Sequence, residues 1–453
     1  MARAIFIFKK GGSNLIQKMK GTEDILPKDV ARWQYVEDLA RDLFDQYLFR
    51  EIRTPIFESY DLFARSVGDT TDIVSKEMYD FEDKGGRRLA LRPEGTAPVV
   101  RAYIENKLFG PEYPQPLKLY YIGSMFRYER PQAGRQRQFN QIGVEVFGSD
   151  NPATDVEVIA LAWQFFQELG LRGIQIHLNS LGEKTARQAY RQALIDYFEP
   201  HFDELSEDSQ RRLHDNPLRV LDSKDPKDQA LLPQAPSILD YLNETSQKHF
   251  EEVQSLLQAL NIPYQVDDRI VRGLDYYQET IFEFIVEDQA IGAQSTVCGG
   301  GRYSGLVEDL GGPQKSGFGF GLGMERLLLL LEEEGIDLPG YEPVDVYVIC
   351  LEQAANRLAT QVVQAARGAG LIAERDYLNR SLKSQFKTAA KLDSRLVVTL
   401  GEKEVASGQL TFKNQANGQE TTLSLEDLLE DFAGVFRRLT MDTSVIDAFF
   451  KGE

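Results

Sequence analysis

Apolar side chains recur three and four positions apart over residues 28–48, at Val30, Trp33, Val36, Ala40, Leu43, Phe44 and Tyr47. That spacing gathers them on one face of a long helix, and Asp29 near its start suits the helix dipole. In the next segment, 50–57, Pro55 holds Thr54 extended and restricts the stretch to an edge strand. Between 117 and 147 the pattern changes. Strand-like runs at 118–122 and 139–147, separated by a polar, glycine-containing turn at 131–134, predict an antiparallel hairpin. Helical spacing returns over 183–260, broken by Pro217, Pro226, Pro233 and Pro236, and predicts an inserted helical module. Strand-like segments at 280–286 and 295–297 then lead into the glycine-dense stretch 299–323 and a helix from Met324.

Leu338-Pro339-Gly340 and Pro343 mark a linker. Beyond it the pattern reads strand 344–351, helix 353–367, strand 372–375, helix 381–392 and strand 396–400. The expected class is α+β: an antiparallel sheet flanked by helices with a helical insertion, then a small C-terminal α/β domain. The boundaries expected are an N-terminal extension 1–18, a core in two parts at 19–180 and 263–338, the insertion 181–262, the C-terminal domain 344–430 and a tail 431–453. Met19 is a second candidate for the start of the chain.

Composition narrows the class. The 453 residues are 42% apolar and 27% charged, values of a folding globular chain of two to four domains. The longest apolar run, Leu327 to Leu331, is far short of the roughly 18 residues that a membrane span needs. Lys9 and Lys10 cut off the run at 5–8 before it reaches signal-peptide length, so a cytoplasmic protein is expected. Cys298 and Cys350 form no CxxC pair, which gives neither a disulfide framework nor a zinc site. His177, His201, His214 and His249 show no ligand spacing, and no protein-bound metal is expected. The net charge of −19 opposes a nucleic-acid partner as a total. Its distribution does not, because Arg127, Arg130, Arg135 and Arg137 cluster, as do Arg375, Arg380, Lys383, Lys387, Lys391 and Arg395.

Two stretches carry chemistry. In Phe126-Arg127-Tyr128-Glu129-Arg130-Pro131, followed by Arg135, Arg137 and Phe139, planar guanidinium forks match phosphate oxygens and an aromatic face can stack a base. Taken alone, this stretch also fits a solvated hairpin. In Gly317-Phe318-Gly319-Phe320-Gly321-Leu322-Gly323-Met324-Glu325-Arg326, glycine at every second position strips one strand face of side chains, so another group can approach. Arg326 is placed to cover that group. Glu145 lies between Val144 and Val146, where alternation alone would put it on a solvated face.

The Pro55 segment, the Phe126-to-Glu129 hairpin and the Gly321-to-Arg326 strand and helix resemble motifs 1, 2 and 3 of class II aminoacyl-tRNA synthetases. Lys20-Gly21-Thr22-Glu23-Asp24-Ile25-Leu26-Pro27, Leu91-Arg92-Pro93-Glu94-Gly95-Thr96, the segment 216–224, Arg272-Gly273-Leu274-Asp275-Tyr276-Tyr277 and Gly300-Gly301-Arg302-Tyr303 narrow the resemblance to the histidyl-tRNA synthetase family. It covers nearly the whole chain. It implies histidine activation by ATP, with Mg²⁺ carried by ATP, and transfer to tRNA(His) by a homodimer paired through the motif 1 helix. By resemblance, Arg127 and Arg272 are catalytic, Glu145 and Tyr277 take the imidazole with Tyr276 beside them, and Glu94, Thr96 and Gln141 hold the α-amino group. Phe139 and Arg326 would sandwich adenine, and Arg135 and Arg137 would meet the outer phosphates. Arg130 and Gln132 would touch tRNA from the hairpin. Arg380, Lys383 and Lys387 would do so from a C-terminal anticodon-binding domain.

Polar partners on both imidazole nitrogens would reject ligands that cannot satisfy them, which fits a carboxylate and a tyrosine. The rival readings are a non-catalytic, synthetase-like regulatory subunit of ATP phosphoribosyltransferase and a class II enzyme for threonine or proline.

Overall fold

The computed structural model describes residues 16–67, 71, 73–271, 274, 276–286 and 296–441. The chain divides into two compact units, 1–339 and 340–453.

The first unit is built on an eight-stranded sheet. Its strands run in the order Arg50–Glu51, Leu117–Phe126, Gln138–Phe147, Gly317–Gly323, Thr296–Arg302, Gln278–Val286, Ile174–Ser180 and Gln265–Val266. Inner neighbours are antiparallel, and the two parallel pairings are confined to the edges. Side chains of a strand alternate between faces, so the central strand Gln138–Phe147 serves two environments at once. Ile142, Val144 and Val146 enter the main core, with the helices Pro27–Gln46, Pro152–Glu168, Glu244–Ala259 and Met324–Glu333. Each fully buried aliphatic or aromatic side chain there contributes about 1.5–3 kcal/mol. Phe147 faces the other way, into a second core with Val99, Val100 and Tyr103 of the helix Thr96–Glu105.

The helical insertion has its own small core around Tyr190, Leu194, Phe198, Val220 and Leu232. It ends earlier than the expected residue 262. In Glu244–Ala259, Phe250, Val253 and Leu257 share one helix face and are buried in the main core, so that helix belongs to the sheet's covering layer.

The second unit is a five-stranded sheet ordered Ala373–Arg375, Val346–Cys350, Leu396–Leu400, Gln409–Asn414 and Glu420–Ser424. The first three strands are parallel, and the last two extend the sheet antiparallel. The segment expected to begin a tail at 431 instead forms the helix Phe432–Thr440, because Phe432, Val435 and Phe436 pack into this unit's core. Residues 442–453 lie outside the described residues.

Candidate active site

The motif 2 hairpin pairs in unbroken register from Leu117 opposite Phe147 to Phe126 opposite Gln138. Its tip reverses between Gln132 and Arg135, whose backbones exchange hydrogen bonds of 3.1 and 2.9 Å. Gly134 sits there at φ 67°, a left-handed turn position that glycine accepts without strain. The strand before the tip aims Arg127. Its Nε donates to the Pro93 carbonyl at 2.8 Å, and its guanidinium lies 5.3 Å from the centre of the Phe139 ring. The Glu129 carboxylate stands between Arg127 and Arg135, at 3.8 and 3.4 Å. From the opposite side, Arg326 donates to the Thr296 carbonyl, and burial, with the charge of Arg135, depresses its pKa.

Arg127, Arg135, Phe139, Gln141, Gly323 and Arg326 line one cavity of about 200 Å³. It continues beneath the insertion into a broader one of about 560 Å³. Phe139 and Arg326 line the same cavity as the cationic side chains of Arg127 and Arg135.

The alternating glycines explain the neighbouring pocket. Gly317, Gly319, Gly321 and Gly323 pair with Phe147, Glu145, Gly143 and Gln141. A Cβ at Gly317 would lie 2.0 Å from the Tyr303 ring, at Gly319 2.1 Å from Glu145 Oε2, and at Gly321 2.4 Å from Gln141 Nε2. Side chains of the adjoining strands therefore fill the space that the glycines leave. At Gly323 a Cβ would meet nothing within 4 Å, and that position opens onto the arginine-lined cavity.

Glu145 is 1% exposed. Thr96 Oγ1 donates to its Oε1 at 2.6 Å and the Tyr303 hydroxyl donates to its Oε2. Burial pushes its pKa up to about 8 against the pull of those two donors, with Glu94 adding repulsion. Glu94 is also buried and shifted up by desolvation; its two oxygens accept the first-turn N–H groups of Thr96 and Ala97 at 2.8 and 2.7 Å, capping the helix Thr96–Glu105. Tyr276 and Tyr277 pack ring to ring at 4.7 Å, and Tyr276 lies 5.7 Å from Tyr303. The Tyr276 hydroxyl is buried with no hydrogen-bond partner among the described residues. Such a group costs about 1–3 kcal/mol unless a ligand satisfies it.

The structure thus brings together Glu94, Thr96, Gln141, Glu145, Tyr276 and Tyr277 near the sheet centre, next to Arg127, Arg135, Phe139 and Arg326. Arg272 lies outside the described residues. Arg137 does not line either cavity. Its guanidinium lies 3.8 Å from the centre of the Tyr128 ring, and its Nε donates to the Glu129 carbonyl, because its side chain passes over Gly21. Arg130 and Gln132 are exposed on the hairpin loop.

In the second unit, Lys383, Lys387 and Lys391 form an exposed stripe on the helix Leu382–Lys391, whose Gln385 and Ala389 face inward. Arg380 is tied to Asp376. Arg375, counted in the basic cluster from sequence, is buried and bonded to Asn356 and Thr360, so it adds nothing to a basic surface.

Two pocket residues carried no assigned role from sequence. Tyr303 was visible at the end of Gly300-Gly301-Arg302-Tyr303, and the glycine that accommodates it, Gly317, is the available signal. Tyr121 occupies the space beside Gly95 and Gly143, where its ring would lie 2.2 Å from an added Cβ. It had no signal, since a tyrosine in an apolar strand reads as core.

Comparison with known proteins agrees with this geometry. A family model described as histidyl-tRNA synthetase matches residues 21–327, and one described as anticodon binding domain matches 345–433. A histidine–tRNA ligase of Streptococcus pyogenes serotype M18 is 60% identical over 424 residues, 94% of this chain and 99% of that one. The crystal structure of apo Staphylococcus aureus histidyl-tRNA synthetase superposes with a TM-score of 0.79 at 43% identity, covering 92% of this chain and 100% of that one. A Bacillus halodurans C structure described as an ATP phosphoribosyltransferase regulatory subunit/histidyl-tRNA synthetase shares the fold, at TM-score 0.61 and 19% identity over 85% of this chain and 98% of that one. On the family match and the near-full-length identity together, the chain belongs to the histidyl-tRNA synthetase family.

Proposed function

We propose that the protein activates L-histidine with ATP and transfers it to tRNA(His), releasing pyrophosphate and then AMP. The observation that carries this reading is the buried Glu145, held by Thr96 and Tyr303, four residues along the same strand from Gln141, which lines the arginine-rich cavity. A desolvated carboxyl beside tyrosines suits a ring with two nitrogens. In this reading Glu145 and Tyr277 grip the imidazole, with Tyr276 beside them. Glu94, Thr96 and Gln141 orient the α-amino group.

The histidine carboxylate attacks the α-phosphorus, the bond to the bridging oxygen breaks, and pyrophosphate leaves. Arg127 faces the charge that accumulates on the α-phosphate, and Arg272 is proposed as its counterpart. Phe139 and Arg326 hold adenine, and Arg135 reaches toward the outer phosphates. Mg²⁺ carried by ATP would neutralise phosphate charge there, and Glu129 and Glu283, carboxylates on the cavity walls, would offer it oxygen ligands. In the second step the ribose hydroxyl attacks the carbonyl carbon, and a phosphate oxygen of the adenylate takes its proton.

Arg130 and Gln132 are proposed to meet the tRNA acceptor end, and Arg380, Lys383 and Lys387 the anticodon, in a cytoplasmic homodimer. Exposed Leu48, Ile56 and Phe57 around the edge strand support pairing there. The test is ATP–pyrophosphate exchange with histidine, threonine or proline, followed by aminoacylation of purified tRNA. Histidine alone should drive exchange. Exchange with none of the three would favour the regulatory-subunit reading.

A further inference from the structure

The broad cavity has two walls. The sheet side carries Arg127, Arg135 and Arg326, and the insertion side carries Arg219 and Lys224. With Arg269, six cationic side chains meet only Asp222, Asp267 and Glu283 there, in a chain whose net charge is −19. That local reversal of sign calls for an anion of high charge.

The insertion holds Lys224 in place. The Ser223 hydroxyl donates to Asp228, which is 0% exposed and also accepts from Ser206 N at 2.8 Å and from the hydroxyls of Ser206 and Ser209 at 2.7 Å. On the other side, Asp225 caps the helix Pro226–Leu231 by accepting from Lys227 N at 2.9 Å. The chain is therefore pinned immediately before and after Lys224. Lys224 itself makes no hydrogen bond or ion pair among the described residues. Arg219 reaches Asp222 only at 3.8 Å. Partial burial lowers the pKa of Lys224, and repulsion from Arg135 and Arg326 lowers it further against the pull of Asp222 and Glu283, so an anion between the walls would relieve it.

We propose that the insertion is the second jaw of the nucleotide site: Lys224, backed by Arg219, binds the β- and γ-phosphates of ATP and then the departing pyrophosphate. This rests on the activation chemistry proposed above and deepens it. The bond broken is unchanged. Lys224 adds a fixed ammonium on the leaving-group side, opposite Arg135, where charge grows as pyrophosphate separates. It acts as a binding and positioning group, and no proton leaves it.

The test compares full-length wild type, Lys224→Ala and Lys224→Arg in histidine-dependent exchange, with calorimetric titration of inorganic pyrophosphate. Lys224→Ala should raise KM for ATP and Kd for pyrophosphate roughly tenfold, the loss of one charge-assisted contact. KM for histidine, KM for tRNA at saturating ATP, and Tm should stay at wild-type values, and Lys224→Arg should restore most of the loss. Wild-type ATP and pyrophosphate constants in Lys224→Ala would overturn the proposal. A rise confined to KM for tRNA would overturn it too, giving the lysine to an RNA phosphate. No histidine-dependent exchange in wild type would instead sink the activation reading from which the proposal starts.

Discussion

The two halves of the candidate site solve opposite electrostatic problems. The pocket around Glu145 is enclosed and acidic: Glu94 and Glu145 are buried together, both pushed toward their protonated forms, and Thr96, Ala97 and Tyr303 donate to them while the Tyr276 hydroxyl has no partner among the described residues. The cavity around Arg127 is open and cationic, and its arginines are held through single bonds to carbonyls and a shared contact with Glu129. The first arrangement can discriminate, because a ligand that leaves a buried acid or hydroxyl unpaired is penalised. The second can accelerate, because fixed positive charge matters most where negative charge develops. One sheet serves both, since alternation sends Glu145 and Gln141 to the same face of one strand while Ile142 and Val144 secure the other.

The largest effect should come from the open side. Arg127→Ala is expected to reduce kcat for histidine-dependent exchange about 10²–10³-fold, with a small change in KM for histidine. Next, Glu145→Gln should raise KM for histidine by about two orders of magnitude while the KM for ATP holds. Its stability should move the other way. The native Glu145 keeps its proton up to about pH 8, whereas the unfolded chain loses it near 4.5, so burial of this group destabilises the fold increasingly as pH rises through that window. Thermal melts should show the advantage of Glu145→Gln over wild type growing from about pH 5 to about pH 8, by about 1–3 kcal/mol.

A smaller effect is expected at the glycine ladder. Gly319→Ala puts a methyl group 2.1 Å from Glu145 Oε2 and 2.2 Å from the Val144 carbonyl. Denaturant titration should show a loss of about 1–3 kcal/mol, and KM for histidine should rise. The smallest effect belongs to the second unit. Lys383→Ala with Lys387→Ala should raise KM for tRNA roughly threefold to tenfold and flatten its salt dependence, with exchange unchanged. Equal losses in exchange and aminoacylation would contradict that division.

The cationic side was more legible in the sequence than the acidic one. Arginines and a phenylalanine crowded on one hairpin, and glycines at every second position before Glu325-Arg326, announce their use within a few residues. The burial of Glu145 depends on Thr96, 49 positions before it, and on Tyr303, 158 positions after it, which no local pattern can register. Val144-Glu145-Val146 reads equally well as a half-solvated strand. The helix Glu244–Ala259 was visible as a helix, but its partner, Pro152–Glu168, is distant in sequence, so its membership in the main core was hidden. Arg137 shows the limit of clustering: among four arginines in one stretch, it turns away to stack on Tyr128.

Steady-state exchange on Glu145→Gln and Arg127→Ala, with histidine and ATP each varied at saturation of the other, tests the division of labour most directly. The account predicts that Glu145→Gln damages chiefly the KM for histidine and Arg127→Ala chiefly kcat. If both variants lose the same constant in the same proportion, the acidic pocket and the cationic cavity are one undivided site, and the account is wrong.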